Sequence, residues 1–265
     1  MSNNNSISPL AIVHPNAKIG NGVEIGPFCI VEDNVEVGDG TKLLSGAILR
    51  YGARIGKECT IHPYAVVGGE PQDLKFKGED SVAIIGDRTT LREYVTISRG
   101  TASKGFTKVG SDVLIMAYAH VAHDCEVSDR VIIGNASQVA GEVEIDNQAI
   151  LGGGTLVHQF VRIGAHAMIQ GGTRVTKDIP PYTLIGREPA MYCGINIVGL
   201  RRRNYSKEQI YLINDIYRTL YNRGLNNTKA IEVIQEEYEE MPEKEIILDF
   251  LRNSQRGIVR GGSVD

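Results

Sequence analysis

The chain has 265 residues, enough for one large domain or two modest ones. Its composition, 42% hydrophobic and 23% charged, is typical of a globular protein, and no apolar run approaches the roughly 20 residues that span a bilayer. The formal charge of −4 gives no sign of a nucleic-acid binder, and "MSNNNSISPL" lacks the basic start and apolar stretch of a signal peptide. We therefore expect a soluble, cytoplasmic protein without a transmembrane segment.

A six-residue repeat begins near the N-terminus. Ten consecutive sixth positions, from Val13 to Val67, are aliphatic, and the same phase returns at Ile85 and again from Val109 to Val175. The residue four places after each aliphatic one is small or β-branched. A period of six fits neither an α-helix nor an alternating strand, whereas it fits a solenoid of very short strands joined by tight turns. The sequence therefore predicts an all-β solenoid with its aliphatic residues inside.

Three of the four cysteines occupy the small position of the repeat, namely Cys29, Cys59 and Cys125. No two cysteines have the CxxC spacing of a zinc or redox motif. We expect small buried thiols, with neither a disulfide framework nor a metal site.

Two polar stretches interrupt the repeat. The first stretch lies between 69 and 84 and begins with "GEPQDLKFKGEDSVA". The second, 98–108, is "SRGTASKGFTK". Loops that leave a rigid scaffold often carry function. These two insertions are therefore candidate parts of a functional site.

After the second insertion comes "AYAHVAHDC", which contains His120, His123 and Asp124. The phase of the repeat places neither histidine in an inward position, so both are expected on an outer face. Histidine suits proton transfer near neutral pH, and a neighbouring carboxylate can fix its tautomer. Because no serine or cysteine nucleophile motif accompanies the pair, the pattern favours direct general-base catalysis.

The repeat stops near Ile179, and a helical pattern follows an irregular connector. We divide the chain into a repeat domain, 1–195, and a C-terminal α-helical domain, 196–265. Ser206 and Gln209 have the spacing of a capping box, and Gly224 ends that helix. Further helices are expected from Thr228 and Pro242, with inward residues Ile210, Ile213, Ile216, Tyr217, Leu220, Tyr221, Ile231, Ile234, Tyr238, Ile246, Ile247, Phe250 and Leu251.

The sequence as a whole resembles the UDP-N-acetylglucosamine O-acyltransferase family of hexapeptide-repeat proteins. The resemblance covers nearly the full chain and lies in "PQDLK", "RGT", "AHVAHDC", "VAGEV", "GTLVHQF", "DIPPY" and "GINIVGLRRRNYS". It implies a left-handed parallel β-helix with C-terminal helices, assembled as a homotrimer with sites between subunits. It also implies transfer of a 3-hydroxyacyl chain from acyl carrier protein to the 3-hydroxyl of the sugar of UDP-GlcNAc, the first step of lipid A biosynthesis. No cofactor is implied, since the phosphopantetheine arrives on the carrier protein.

The resemblance also implies roles for individual residues. His123 would be the general base, Asp124 would orient it, and the N–H of Gly141 would hold the oxyanion. Substrate would be bound by Gln72, Asp73, Lys75, His120, His158, Gln159, Asn196, Arg202 and Arg203, with Asn196 at the uracil and the two arginines at phosphates. Gly171 and Pro189 would form the acyl-chain ruler and leave room for a long chain.

The sequence departs from the common family pattern at Ser98 and Glu142, where many members have histidine, and at Val198, where many have glutamate. Three other functions stay open on the residues alone. One is a γ-carbonic anhydrase-like zinc enzyme that uses His120, His123 and His158. The others are a related acyltransferase acting on an amino-sugar nucleotide and a non-enzymatic scaffold.

Overall fold

The computed structural model describes residues 4–261. Short parallel strands follow one another around three sheets, and paired strands are eighteen residues apart along most of the solenoid, as in His120↔Gln138. One coil therefore takes three six-residue repeats, which is why the hydrophobic period is six. The fold is a parallel β-helix of hexapeptide repeats with C-terminal helices, and it confirms the predicted fold class.

The strands are numbered in chain order and fall into three sheets. The first sheet has β1 Ser6–Ile7, β4 Glu24–Ile25, β7 Lys42–Leu43, β10 Thr60–Ile61, β13 Thr90–Leu91, β16 Leu114–Ile115, β19 Ile132–Ile133, β22 Ile150–Leu151, β25 Met168–Ile169, β27 Thr183–Gly186, β28 Met191–Ile195 and β29 Arg260–Gly261. The second has β2 Ile12–Val13, β5 Ile30–Val31, β8 Ile48–Leu49, β11 Val66–Gly69, β14 Thr96–Ser98, β17 His120–Val121, β20 Gln138–Val139, β23 Leu156–Val157 and β26 Arg174–Val175. The third has β3 Lys18–Ile19, β6 Glu36–Val37, β9 Ala53–Ile55, β12 Val82–Ile85, β15 Phe106–Val109, β18 Glu126–Val127, β21 Glu144–Ile145 and β24 Arg162–Ile163.

The core is a column of aliphatic side chains inside the coils. Val121 and Val139 are fully buried, and so are the small corner residues Cys29, Cys59 and Cys125. The corners turn sharply through residues in the left-handed region, such as Asp124 with φ of 58°. The repeat therefore directs its aliphatic and small residues inward and leaves other positions of each turn available for function.

The two insertions are shorter than predicted, because strand pairing extends into them. β11 continues to Gly69 and β12 begins at Val82, so the first loop spans 70–81. β14 ends at Ser98 and β15 begins at Phe106, so the second spans 99–105. β12 and β15 pair with each other, so the two loops leave neighbouring coils.

Within residues 4–261, four helices follow the solenoid: α1 Ile197–Arg202, α2 Lys207–Asn222, α3 Asn227–Glu237 and α4 Pro242–Asn253. The predicted capping box of α2 is present, with Ser206 and Gln209 bonded reciprocally. The second predicted helix starts at Asn227 instead of Thr228, because the Asn226 side chain caps it. Ile246, predicted inward, is 43% exposed.

The C-terminal part also contains strand structure that the sequence did not reveal. β28 pairs antiparallel with β27, and β29 returns to pair with β28 through Met191↔Arg260. The region after residue 195 is therefore tied back to the first sheet by main-chain hydrogen bonds and is not purely helical. In the part of the chain described here, no helix combines the length and apolar character needed to cross a membrane.

Candidate active site

The eighteen-residue coil stacks the candidate residues in columns along one corner of the solenoid. His123, Gly141 and Gln159 occupy equivalent positions in three successive coils at the corner between the second and third sheets. The coils are joined there by hydrogen bonds from Glu142 N to His123 O, at 3.0 Å, and from Phe160 N to Gly141 O, at 3.2 Å. Residues that are far apart in sequence are thus brought to one edge, separated by the distance between neighbouring strands.

An open groove of about 450 Å³ follows this edge. Five residues named from the sequence line it: Gln72, His120, His123, Gly141 and Gln159. Tyr118 and Leu156 add an apolar wall to the same groove. The groove therefore has room for a small-molecule substrate beside the histidine pair.

His123 and Asp124 form a buried dyad. Nδ1 of His123 lies 2.8 Å from Oδ2 of Asp124, and their exposed fractions are 8% and 0%. Burial acts to raise the pKa of Asp124, but hydrogen bonds from Thr101, His123 and Lys104 outweigh it and lower that pKa below its usual value. An ionised carboxylate can only accept, so Nδ1 carries a proton, and in the neutral ring Nε2 is the nitrogen with a free lone pair.

The first loop brings a second carboxylate to the other side of the imidazole. Oδ2 of Asp73 lies 3.9 Å from Nε2 of His123. The turn at Asp73 is closed by its own Oδ1, which accepts from Lys75 N at 2.9 Å. The guanidinium of Arg99 lies 5.0 Å from the centre of the Phe76 ring and packs this loop onto the solenoid.

His120 lies in β17, three residues before His123, and its environment favours the neutral imidazole. Nδ1 of His120 is 2.7 Å from Oγ1 of Thr96, the residue paired with it in the preceding coil. Burial lowers the pKa of His120 below its ordinary value. A neutral imidazole with one nitrogen already bonded is suited to hydrogen bonding with substrate.

Gly141 is required by its contact with the dyad. A Cβ at this position would lie 2.6 Å from Cε1 and 2.7 Å from Nε2 of His123, closer than real contacts allow. Within residues 4–261, the backbone N–H of Gly141 donates to no protein acceptor. The bare backbone thus presents an unused donor next to the imidazole.

Several residues named from the sequence do not line this groove. Lys75 and His158 are exposed. Asn196 is buried as the N-cap of α1: its Oδ1 accepts from Gly199 N at 3.0 Å, and its Nδ2 donates to His166 O at 2.9 Å. This carboxamide is therefore already engaged within the chain.

The arginines lie at a different corner, between the third and first sheets. Arg203 donates to Gln148 O at 3.0 Å, and Arg202 is exposed. Nη1 of Arg203 is buried without a hydrogen-bond partner among the described residues. The three sheets give the solenoid the form of a three-sided prism. The corner at His123 and the corner at Arg203 are thus two separate edges of this prism.

The two ruler residues do not share a cavity in the single chain. Gly171 is exposed, and a Cβ there would lie 2.9 Å from Gly153 O. Pro189 lines a second cavity of about 420 Å³ at the end of the solenoid, with Met191 and Val259 in its wall. A bulky residue at Gly171 would have to displace backbone, which makes it a poor test of chain length.

Sequence reasoning missed some residues that shape the site. Thr101 binds the Asp124 carboxylate, Thr96 binds His120, and Arg99 anchors the first loop. "RGT" is part of the family resemblance, but its contacts depend on how the second loop folds over the corner. Outward histidines were also expected throughout, whereas His166 is buried between Tyr182 and Tyr205, with ring centroids 5.3 Å from each.

The described residues contain no cluster of three or more histidine, cysteine, aspartate or glutamate side chains arranged to hold a metal ion. The three histidines of the carbonic anhydrase-like alternative therefore do not converge within one chain.

Comparisons with known proteins match both parts of the chain. The family model described as Udp N-acetylglucosamine O-acyltransferase, domain 2, covers residues 178–259. The model of bacterial transferase hexapeptide repeats covers residues 34–69 and 106–141. The two models thus fall on the helical part and on the solenoid.

Two curated relatives align along almost their entire length. A protein of Chlorobaculum parvum, named acyl-(acyl-carrier-protein)-UDP-N-acetylglucosamine O-acyltransferase, is 51% identical over 95% of this chain and 96% of its own. A protein of Thermodesulfovibrio yellowstonii with the same name is 42% identical over 97% of this chain and 100% of its own.

Solved structures agree with this alignment. The UDP-N-acetylglucosamine acyltransferase of Bacteroides fragilis has a TM-score of 0.95 at 53% identity, covering 96% of this chain and 100% of that one. The Arabidopsis UDP-N-acetylglucosamine acyltransferase has a TM-score of 0.85 at 32% identity, covering 96% of this chain and 100% of that one.

Proposed function

The chain belongs to the UDP-N-acetylglucosamine O-acyltransferase family, and from that membership we propose how its residues carry out acyl transfer. It is an acyltransferase that moves an acyl chain from acyl carrier protein to an oxygen of UDP-N-acetylglucosamine. We propose that the acceptor is the 3-hydroxyl of the sugar and that the donor is a 3-hydroxyacyl thioester. The reaction would be the first step of lipid A biosynthesis and would take place in the cytoplasm.

The proposed chemistry is direct general-base catalysis. Nε2 of His123 takes the proton of the sugar hydroxyl as its oxygen attacks the thioester carbon. The carbonyl oxygen becomes an oxyanion, which the N–H of Gly141 stabilises. When the tetrahedral intermediate collapses, the C–S bond breaks and the proton on His123 passes to the leaving thiolate of the phosphopantetheine arm. Asp124 keeps the imidazole in the required tautomer and stabilises the imidazolium between the two steps.

The observation that carries this mechanism is the dyad itself, with Nδ1 of His123 2.8 Å from the buried Asp124 carboxylate. The burial of the neighbouring cysteine thiol argues against a mechanism through a covalent acyl-enzyme. Cys125 is fully buried, its Sγ lies 3.0 Å from Ala140 O, and burial raises the pKa of this thiol to about 12. A thiol that stays protonated at neutral pH is a poor nucleophile.

The remaining substrate-binding residues support a site shared between copies of the chain. Arg203 and Asn196 lie at the corner between the third and first sheets, away from the His123 corner. One nucleotide can contact both sets of residues only if the His123 edge of one subunit faces the Arg203 edge of its neighbour. We therefore propose a homotrimer, the smallest ring in which such unlike edges close. Gln72, Asp73, Lys75, His120, His158 and Gln159 would hold the sugar and diphosphate in this arrangement.

Acyl carrier proteins are acidic, and this chain has a net charge of −4, so attraction between the two must be local. The run Arg201 to Arg203 is the densest group of positive charge, and Arg202 is exposed. We propose that Arg202 meets a phosphate of the nucleotide or of the pantetheine arm.

The acyl chain is proposed to be long. Neither Gly171 nor Pro189 has a bulky side chain that would close a groove, and each buried methylene favours binding by roughly 0.8 kcal/mol. We propose a chain of at least about 14 carbons, since the per-methylene gain favours the longest chain that the groove accepts.

The test is an acyl-transfer assay of the purified protein with UDP-N-acetylglucosamine and a series of 3-hydroxyacyl carriers. We expect an ester product on the sugar and the highest kcat/KM with the longer carriers. An amino-sugar nucleotide acceptor, assayed in parallel, distinguishes the related acyltransferase. Metal analysis of the same sample distinguishes the carbonic anhydrase-like enzyme, which would retain zinc.

A further inference from the structure

The second loop, 99–105, forms hydrogen bonds to the carboxylate of Asp124 and does not line the groove. Three of its groups donate to that carboxylate. Thr101 N lies 3.0 Å from Oδ1, Thr101 Oγ1 lies 2.7 Å from Oδ2, and Lys104 N lies 3.2 Å from Oδ1. One residue, Thr101, therefore contacts both carboxylate oxygens.

This arrangement fixes the plane of the carboxylate. Oδ2 of Asp124 accepts from Thr101 Oγ1 and lies 2.8 Å from Nδ1 of His123, so the same oxygen serves the loop and the imidazole. Because Asp124 is fully buried, water does not compete for these positions. Charge-assisted hydrogen bonds in such surroundings are stronger and more directional than neutral ones.

Further contacts fasten the loop on the C-terminal side of Thr101. Gly105 N donates to Thr101 O at 2.7 Å and closes the loop. Farther out, Ser103 Oγ donates to Glu142 at 2.6 Å, and the Lys104 ammonium contacts Glu126 at 2.9 Å. Thr101 is only 7% exposed, so its side chain has little freedom to leave Asp124.

We propose that Thr101 is a positioning residue for acyl transfer, which holds the Asp124 carboxylate so that it receives the Nδ1 proton of His123. The catalytic part of this proposal rests on the function proposed above. Thr101 acts through Asp124 and touches no substrate, since it lies outside the groove. Its loss should therefore lower kcat and leave the KM for UDP-N-acetylglucosamine unchanged.

The test compares three variants of the full chain. Thr101→Val removes the hydroxyl and keeps the shape, and Thr101→Ser restores the hydroxyl. Thr89→Val is the matched control, because Thr89 is fully buried, donates to Gly110 O at 2.8 Å and lies at a different corner. For each variant, kcat and KM are measured, and the ring nitrogens of His123 are followed by ¹⁵N NMR, which reports the tautomer.

We expect Thr101→Val to lower kcat about 10- to 100-fold, the range expected for one hydrogen bond to a charged group. The His123 spectrum should change from a single Nδ1–H tautomer to a mixture, and Thr101→Ser should recover both properties. Thr89→Val should keep the wild-type kcat and tautomer even if its melting temperature falls.

A Thr101→Val enzyme with wild-type kcat would overturn the proposal. So would a lowered kcat with an unchanged His123 tautomer, or a serine variant that recovers nothing. If the wild-type protein transfers no acyl group at all, the proposed function fails, while the NMR comparison still decides whether Thr101 holds the dyad.

Discussion

At the scale of single residues, the chemistry of the site depends on the hydrogen bonds that each side-chain nitrogen and oxygen already makes. The sequence placed His123 beside Asp124 and suggested a base with an orienting acid. The hydrogen bond between Nδ1 and Oδ2, at 2.8 Å, assigns the two nitrogens different tasks. The adjacency of two residues in sequence does not guarantee that bond, because it also needs Asp124 in the left-handed corner conformation, with φ of 58°.

The first prediction concerns the base. His123→Ala should lower kcat by about 10²- to 10⁴-fold, the usual contribution of a general base, while the melting temperature changes little. His14→Ala, the same substitution in the first coil, serves as the control and should keep full activity. Turnover by His123→Ala close to that of the control would contradict the assignment.

A second prediction follows from the space around the imidazole. Gly141→Ala places a methyl group 2.7 Å from Nε2 of His123, so the ring must move or the methyl must block the proton-accepting atom. We expect a loss of kcat of at least about 10-fold, since misplacing a catalytic group by ~1 Å can cost 10²-fold. Gly69→Ala, whose Cβ would have no neighbour closer than 3.9 Å, should be nearly neutral. Equal activities of the two variants would show that Gly141 is not constrained by the base.

At the scale of elements, the six-residue period predicted the solenoid and its inward residues. The starts of α2 and α4 followed from caps and periodicity, and the capping box at Ser206 was recognised in sequence, whereas α1 was not predicted. The period could not predict the loop contacts, because the hydrogen bonds of Thr101 and the packing of Arg99 arise between segments without a repeat. The pairing of β29 with β28 could not be predicted either, because a two-residue strand has no sequence pattern of its own.

The junction between solenoid and helices should be sensitive to acid. Burial, together with the charges of Arg203 and Arg130, lowers the pKa of His166 from 6.5 to about 4. The folded protein therefore binds fewer protons than the unfolded chain between these values, so stability falls as the pH falls from about 6.5 to about 4. The full loss for this one group is on the order of 3 kcal/mol, at 1.36 kcal/mol per pKa unit.

This loss can be isolated with one substitution. His166→Phe keeps the ring between Tyr182 and Tyr205 but removes the titrating group. The free energy of unfolding of this variant, measured by denaturant titration at pH 7 and pH 5, should depend less on pH than that of the wild type. An identical pH dependence in the two proteins would place the acid sensitivity elsewhere.

At the scale of the whole molecule, the two groups of candidate site residues lie on different edges of the solenoid. The family resemblance implied a shared site, and the geometry gives a physical reason: His123 and Arg203 belong to separate corners. The sequence alone could not show this, because the corner of each residue depends on the coil register after the two insertions. The remaining contacts, such as that of Asn196 with uracil, are predictions that only an assembled complex tests.

The most direct test of a shared acyl-transfer site is an assay of mixed assemblies. His123→Ala and Arg203→Ala chains are first assayed alone; they are then expressed together with different tags, and the assemblies that carry both tags are purified. In a three-membered ring that contains both chains, about a third of the interfaces have an intact His123 facing an intact Arg203. We predict that these assemblies regain that fraction of wild-type transfer to UDP-N-acetylglucosamine. Doubly tagged assemblies that contain both chains and regain no activity would contradict the account.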